Sequence, residues 1–170
     1  MLPKSYLVWK WTVYGFATLA LFALQYLLLD HVRLWGVTPF IYPMLPAVVA
    51  SYEGLRRGSL FALVLGVVCD ALLFGPFDGF YTVIFTLIAL FSALIAENLL
   101  SPGLLCGLVV SGMALVGCAG ARLVLEVLGG NGDLLLMLRL LLLETALSLP
   151  ALGAALPLYR TIHRRCAADY

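Results

Sequence analysis

The fold is decided by residues 79–121, which read GFYTVIFTLIALFSALIAENLLSPGLLCGLVVSGMALVGCAGA. Glu97 is the only charged residue in this stretch, and it separates two uncharged runs at 79–96 and 98–121. An α-helix rises about 1.5 Å per residue, so about 20 apolar residues cross the hydrocarbon core of a bilayer. Both runs fall within the length that a membrane-spanning helix needs, and they predict two consecutive transmembrane helices.

The whole chain shares this character. Of its 170 residues, 64% are hydrophobic and only 11% are charged, whereas soluble domains are about half apolar and a quarter charged. This composition excludes a soluble globular enzyme and a disordered chain. The net charge of +1 gives no basic field for nucleic acid. The four cysteines form no CxxC pair, so neither a metal site nor a disulfide framework is indicated, and we expect no cofactor.

Further uncharged runs lie outward from this stretch at 11–29 and 34–52, and two more apolar stretches, 59–75 and 134–159, contain only one or two charges each. They predict an all-α polytopic membrane protein with a single transmembrane domain over residues 1–170. The six predicted helices lie at about 8–29, 36–53, 59–75, 79–98, 103–128 and 134–159.

The distribution of cations predicts the orientation. With the N-terminus in the cytoplasm, the outside loops hold only Arg33. The inside segments then hold Lys4, Lys10, Arg56, Arg57, Arg160, Arg164 and Arg165. This positive-inside bias favours an even number of spans with both termini in the cytoplasm. Lys10, beside Trp9 and Trp11, is expected to anchor the first helix at the headgroups.

The second predicted span is unusual because Pro39, Pro43 and Pro46 fall in its first half. Proline lacks the backbone N–H and collides with the preceding turn of a helix. Two alternatives follow. Either the helix begins near Pro43, or the segment is a broken or re-entrant one.

Five ionisable residues fall within the predicted spans, where charges are costly and often functional. They are Asp70, Arg122, Glu126, Arg139 and Glu144. The predicted topology places all five in the outer half of the membrane, as a candidate buried polar network. Arg122 and Glu126 are four residues apart and share a helix face, so they can pair. The alternatives are charges that only fix helix packing, or arginines that extend to the outer headgroups.

The fifth predicted span carries a stripe of small residues on one face. Gly103, Gly107, Ser111, Ala114 and Cys118 recur at spacings of three and four. Small side chains let another helix approach closely in a membrane. The stripe is therefore expected to pack either within the bundle or against the helix of a partner.

A turn motif follows the third predicted span. Gly75 is expected to end the helix, Pro76 to prevent its continuation and Gly79 to permit a tight turn. Gly66, four residues before Asp70, would let another helix approach Asp70.

Catalytic motifs are missing from the sequence. His31 and His163 are the only histidines, and they fall at span ends on opposite sides of the membrane. There is no HExxH, GxSxG or phosphate-binding glycine loop. We therefore expect no catalytic residue and no enzymatic activity.

An ordered set of short elements between Leu24 and Asn98 suggests a family. These elements are Leu24-Gln25, Gly36-Val-Thr-Pro39, Leu55-Arg-Arg57-Gly58, Gly66-x-x-x-Asp70 and Gly75-Pro76-x-x-Gly79. In order and spacing they resemble the rod shape-determining membrane protein MreD. The sequence departs from that family at Phe40, where an acidic residue often follows the proline.

The resemblance implies a non-enzymatic membrane scaffold of the bacterial cell-elongation complex, which builds peptidoglycan and regulates cell shape. It implies a plasma-membrane location and an MreC-like partner. MreB, RodA, a class B penicillin-binding protein and membrane lipid are further implied partners. It also implies a fold similar to the six-helix substrate-binding component of energy-coupling-factor transporters.

That similarity raises a rival function, the substrate-binding component of a vitamin importer. The five ionisable residues and the second span would then line an outward-facing pocket. Against this, no alanine pair at four-residue spacing occurs in the first span, where such components carry a coupling face. A third hypothesis is a small transporter that uses Asp70 and Glu144.

Overall fold

The computed structural model describes residues 4–27, 37–73, 75–100, 103–130 and 134–168, and the secondary-structure elements of this part of the chain are all α-helices. Five helices follow one another: α1 (Lys4–Leu27), α2 (Met44–Leu72), α3 (Phe80–Asn98), α4 (Leu104–Leu128) and α5 (Leu134–Ala168). Arg33 and Gly36 lie outside the described residues, as do the side chains of Lys4, Arg164 and Arg165.

The helices that the opening stretch predicts are α3 and α4. Their bounds differ by one residue at most from the predicted 79–98 and 103–128. In the described ranges, these two helices are long and apolar enough to cross a membrane. Length and composition of the described residues thus support two membrane-crossing helices, and not the predicted six.

The second predicted helix, 36–53, is wrong over its first half. Residues 37–41 are non-helical, and α2 begins at Met44 with Pro43 as its N-cap. The physical reason is that each proline removes a helical N–H and disfavours the helical conformation of the residue before it. Of the two alternatives, a helix beginning near Pro43 is the one observed.

A break at Gly54 divides α2 into two parts. Gly54 has φ +77° and ψ 178°, a conformation that glycine adopts far more readily than other residues. The predicted second and third helices are therefore joined by a single residue rather than by a loop over 54–58. The second part ends at Leu72, with Leu73 extended, so Gly75 lies beyond the end of the helix and does not terminate it.

The first part of α2 lies at the centre of the bundle. Its residues Met44 to Ser51 are all buried, and α2 contacts α3, α4 and α5. Glycines in the second part of α2 let it approach both the first part and α3 closely. A Cβ at Gly58 would lie 2.4 Å from the Cα of Ala50, and one at Gly66 would lie 2.5 Å from the Cα of Thr82.

The first helix joins the bundle through α5. Tyr14 stacks on Tyr159 with 6.0 Å between ring centroids, and the Thr18 hydroxyl lies 3.0 Å from the Tyr159 hydroxyl. Polar contacts concentrate toward the two ends of the bundle. We call them the Glu53 end and the Arg122 end, after the central residue of each.

Candidate functional site

The Arg122 end contains a guanidinium held between aromatic rings. Arg122 donates a hydrogen bond to the Tyr81 hydroxyl, and its Nη1 lies 3.8 Å from Oε1 of Glu144. The guanidinium carbon is 4.4 Å from the centre of the Phe40 ring and 5.3 Å from that of Tyr81. A cation over an aromatic face is attracted by the ring quadrupole. Phe40, Tyr81, Arg122 and Glu144 form what we call the Arg122 cluster.

Asp70 serves a different purpose at this end. Its Oδ1 accepts the backbone N–H of Tyr81 at 2.8 Å, and its Oδ2 accepts the backbone N–H and hydroxyl of Thr82 at 2.9 and 2.5 Å. The N-cap of α3 is Gly79, with φ +87° and no side chain to cap the helix. Asp70 therefore caps α3 from the preceding helix, and a carboxylate is favourable at a helix N-terminus. Tyr81 links this cap to Arg122.

The five ionisable residues predicted to form one buried polar network do not all come together. Arg122 and Glu144 come together, and Asp70 connects to them only through Tyr81. Glu126 and Arg139 are exposed, and within the described ranges neither side chain takes part in an ion pair. The Arg122–Glu126 pair suggested by helix spacing is replaced by a pair between α4 and α5.

The small-residue stripe faces the interior of the bundle. Gly107, Ser111, Ala114 and Cys118 are buried, and Gly103 is the N-cap of α4. A Cβ at Gly107 would lie 2.6 Å from Cδ2 of Leu156 on α5. Of the two expectations for the stripe, packing within the bundle is the one observed.

The turn motif is placed between α2 and α3. Pro76 is exposed, and a Cβ at Gly75 would lie 3.3 Å from the Cβ of Phe80. The positive φ of Gly79 occurs where the sequence predicts a tight turn.

Two polar side chains hold the non-helical segment before α2. Gln25 of α1 is fully buried; its Nε2 donates to the Pro39 carbonyl at 2.6 Å and its Oε1 accepts the Ile41 N–H at 3.2 Å. Ser148 of α5 accepts the Phe40 N–H at 2.9 Å. These contacts satisfy backbone groups that an apolar surrounding would otherwise leave unpaired.

The Glu53 end contains a second charged cluster, which sequence reasoning missed. The Glu53 side chain is 2% exposed, and its carboxylate lies 2.6 Å from Nζ of Lys10. The Tyr14 hydroxyl donates to Oε1 at 3.0 Å, and Nδ1 of His163 lies 3.3 Å from the same atom. Lys10, Tyr14, Glu53 and His163 form what we call the Glu53 cluster.

The spacing along the sequence explains this omission. Glu53 falls at the end of a predicted span, where an acidic side chain is expected to be hydrated. Lys10 is expected at the headgroups, yet it is 9% exposed and bonded to Glu53. One signal was available: Glu53, Lys10 and His163 all fall at the predicted inner ends of spans, where opposite charges can meet.

A groove of about 1060 Å³ opens beside the Glu53 cluster. Its walls come from Trp11 and Gly15 of α1, residues 53–57, Leu60, Phe61 and Val64 of α2, and Glu97 of α3. Glu97 accepts the backbone N–H of Leu55 at 3.3 Å, the first residue after the break at Gly54. A carboxylate therefore caps the second part of α2, as Asp70 caps α3.

Both clusters join helices that are distant in sequence. The Glu53 cluster connects α1, α2 and α5, and the Arg122 cluster connects the segment before α2 with α3, α4 and α5. In the part of the chain that the structure describes, no group of three or more His, Cys, Asp or Glu side chains could hold a metal ion.

No family model, curated protein or solved structure matches the chain.

Proposed function

We propose that this protein is a non-enzymatic membrane scaffold of the MreD type. It lies in the bacterial plasma membrane as six spans with both termini in the cytoplasm. There it binds an MreC-like partner within the cell-elongation complex, beside MreB, RodA and a class B penicillin-binding protein.

The observation that carries the proposal is that two elements of the resemblance hold the chain at, or just after, the element that follows them. Gln25 bonds to Pro39, the last residue of Gly36-Val-Thr-Pro39, and to Ile41 two residues later. Asp70 bonds to Tyr81 and Thr82, two and three residues after Gly79. These short motifs thus act as joints between successive helices, which is what a shared fold would require of them.

One of the six proposed crossings is supported by the path of residues 37–53. This segment starts beside Gln25 of α1 and ends at Glu53, which contacts Lys10 of the same helix. The two positions on α1 are separated by about 22 Å at 1.5 Å per residue. The segment therefore runs antiparallel to α1 over most of a bilayer thickness, although only its second half is helical.

The importer hypothesis loses support from the position of the groove. That hypothesis expects the five ionisable residues to line an outward-facing pocket. The groove of about 1060 Å³ lies at the Glu53 end, which is cytoplasmic in the proposed orientation, and none of the five lines it. Asp70, Arg122 and Glu144 at the other end are engaged in helix-to-helix contacts.

We place the partner helix on the outer face of α3 and α4. A shallow apolar groove of about 300 Å³ lies there between Phe91 of α3 and Met113 and Gly117 of α4. A Cβ at Gly117 would meet no atom within 4 Å, so this position is open to a close approach by another helix backbone. The stripe of small residues lies on the neighbouring face of α4 and is already buried, and only its Ala114 borders this groove.

Co-purification tests the proposal. The full chain is expressed with an MreC-like protein, and capture is measured in detergent. We expect capture by the unaltered chain, loss of capture with Gly117→Phe, and retention with Gly153→Phe, since Gly153 is also open but lies on α5. Absence of capture by the unaltered chain, with normal rod shape after deletion, would contradict the scaffold role. Nanomolar binding of a water-soluble vitamin would favour the importer.

A further inference from the structure

We propose that the groove at the Glu53 end binds one anionic phospholipid. Arg56 and Arg57 would hold its phosphate, and an acyl chain would lie against Trp11 and Phe61. The inference rests on the membrane placement proposed above, but it does not depend on the partner protein.

Arg56 and Arg57 form the rim of the groove, and their positive charges are not matched by partners. Arg56 and Arg57 are exposed, and in the described residues neither guanidinium has an ion-pair or hydrogen-bond partner. Of the two neighbouring carboxylates, Glu53 is neutralised by Lys10 at 2.6 Å, and Glu97, which accepts the Leu55 N–H at 3.3 Å, leaves one negative charge against the two guanidiniums. The charge available to a ligand is therefore positive. Two guanidiniums that line the same groove suit a phosphate, whose oxygens accept bidentate hydrogen bonds.

The remainder of the groove is apolar. Leu60, Phe61 and Val64 form one wall, and Trp11 stacks on Phe61 with 6.2 Å between ring centroids. Gly15 keeps the α1 side open, because a Cβ there would meet no atom within 4 Å. A groove with a cationic rim and an apolar wall matches a molecule that is anionic at one end and hydrocarbon at the other.

The break at Gly54 sets the position of the rim. Arg56 and Arg57 follow it at the start of the second part of α2, at the end of the bundle that contains the N-terminal half of α1. In the proposed orientation this end lies in the cytoplasmic leaflet, which is rich in anionic lipid. Basic pockets between helices on that side bind anionic headgroups. An anionic phospholipid is therefore the occupant to which the charge and the location both point.

The test uses Trp11 as the reporter. The full chain, with Trp9→Phe and Trp35→Phe so that Trp11 is the only tryptophan, is reconstituted in phosphatidylcholine vesicles. Brominated phosphatidylglycerol or brominated phosphatidylcholine is added at low mole fraction, and quenching of Trp11 fluorescence is measured. We expect quenching by both lipids, with a saturable excess for phosphatidylglycerol.

Substitutions then locate the site. Arg56→Gln with Arg57→Gln should lower the preference for phosphatidylglycerol by up to about 25-fold, because each cation near an anionic surface contributes about fivefold. Arg160→Gln, on the same side but outside the groove, should leave it unchanged. Gly15→Phe should block the groove and abolish the excess quenching, whereas Gly112→Phe, equally open but on α4, should not.

The outcomes separate the two proposals. Equal quenching by both lipids would overturn the phospholipid site while showing that the chain is inserted. No quenching by either lipid would contradict the membrane placement itself. If soluble inorganic phosphate removed the preference, the site would take a free phosphate and not a lipid. An unchanged preference for phosphatidylglycerol in both the arginine and the Gly15 variants would show that the lipid binds outside this groove.

Discussion

The two ends of the bundle hold their charges differently. At the Glu53 end, the carboxylate is only 2% exposed and is surrounded by a lysine, a tyrosine and a histidine. At the Arg122 end, the Arg122–Glu144 ion pair is 3.8 Å long and both of its side chains are about a quarter exposed. Arg122 is supported mainly by the Phe40 and Tyr81 rings. The first arrangement leaves the acid dependent on its cation, because a charge withdrawn from water must be compensated locally. The second arrangement spreads the support over several weaker contacts.

The largest loss of stability is expected at Glu53, whose buried charge is matched by that of Lys10. Glu53→Gln leaves the Lys10 ammonium buried without its counter-charge, and removing one partner of a buried pair costs about 3–5 kcal/mol. We expect a corresponding fall in the thermal unfolding midpoint in detergent, followed by circular dichroism. Lys10→Met combined with Glu53→Gln removes both charges and should recover a large part of the loss. Equal instability of the single and double variants would show that the pair is not the relevant interaction.

A smaller effect is expected from the glycines that fix each end. Gly58→Ala and Gly66→Ala both drive a methyl group into backbone, at 2.4 Å from Ala50 and 2.5 Å from Thr82. Overpacking of this kind costs about 1–3 kcal/mol. The matched control is Gly112→Ala, where nothing lies within 4 Å and the higher helix propensity of alanine should stabilise by up to about 1 kcal/mol. The same unfolding measurement applies, and a neutral Gly66→Ala would show that α2 and α3 can separate there at little cost.

The Asp70 cap comes next. Asp70→Ala removes the acceptor for two backbone N–H groups and one hydroxyl at the start of α3, and loss of a cap costs about 1–2 kcal/mol. Asp70→Asn keeps one acceptor oxygen and should cost less. Asp78→Ala, an exposed acid in the same turn, should be neutral. Local loosening is measured by hydrogen exchange at residues 80–84, and unchanged exchange in Asp70→Ala would contradict the capping role.

The smallest effect is expected at Glu144. Glu144→Gln removes one charge of a long, partly exposed pair, and Arg122 keeps its contacts with Tyr81 and Phe40, so the cost should stay below about 1 kcal/mol. Glu126→Gln, which alters an exposed acid nearby, serves as the control. A loss as large as that of Glu53→Gln would remove the distinction between the two ends.

The features that could be predicted from the sequence are those that depend on local residues alone. The bounds of α3 and α4 follow from uninterrupted apolar runs, and the positive φ of Gly79 follows from the turn residues around it. The sequence predicted a boundary between two helices over 54–58, but not that Gly54 alone would form it, because a single glycine carries no local sign that the backbone reverses its φ there.

Partners of polar groups were harder to predict, since they depend on which helices meet. Helix periodicity places Glu126 beside Arg122, but the bundle brings Glu144 closer from α5. Gln25 appears in the sequence only as one polar residue in an apolar run, and its bonds to Pro39 and Ile41 require the chain to fold back on α1. The burial of Lys10 likewise depends on Glu53, which is 43 positions away.

The central position of the first part of α2 has a consequence for biosynthesis. Ala47 is buried in a cluster with Ala96 of α3 and with Cys106, Val110 and Ala114 of α4. Those residues leave the ribosome after Ala47 does, so the surface that covers it does not yet exist when it is made. This segment can reach its final environment only after α4 has been synthesised, so the order in which the helices assemble differs from the order of translation.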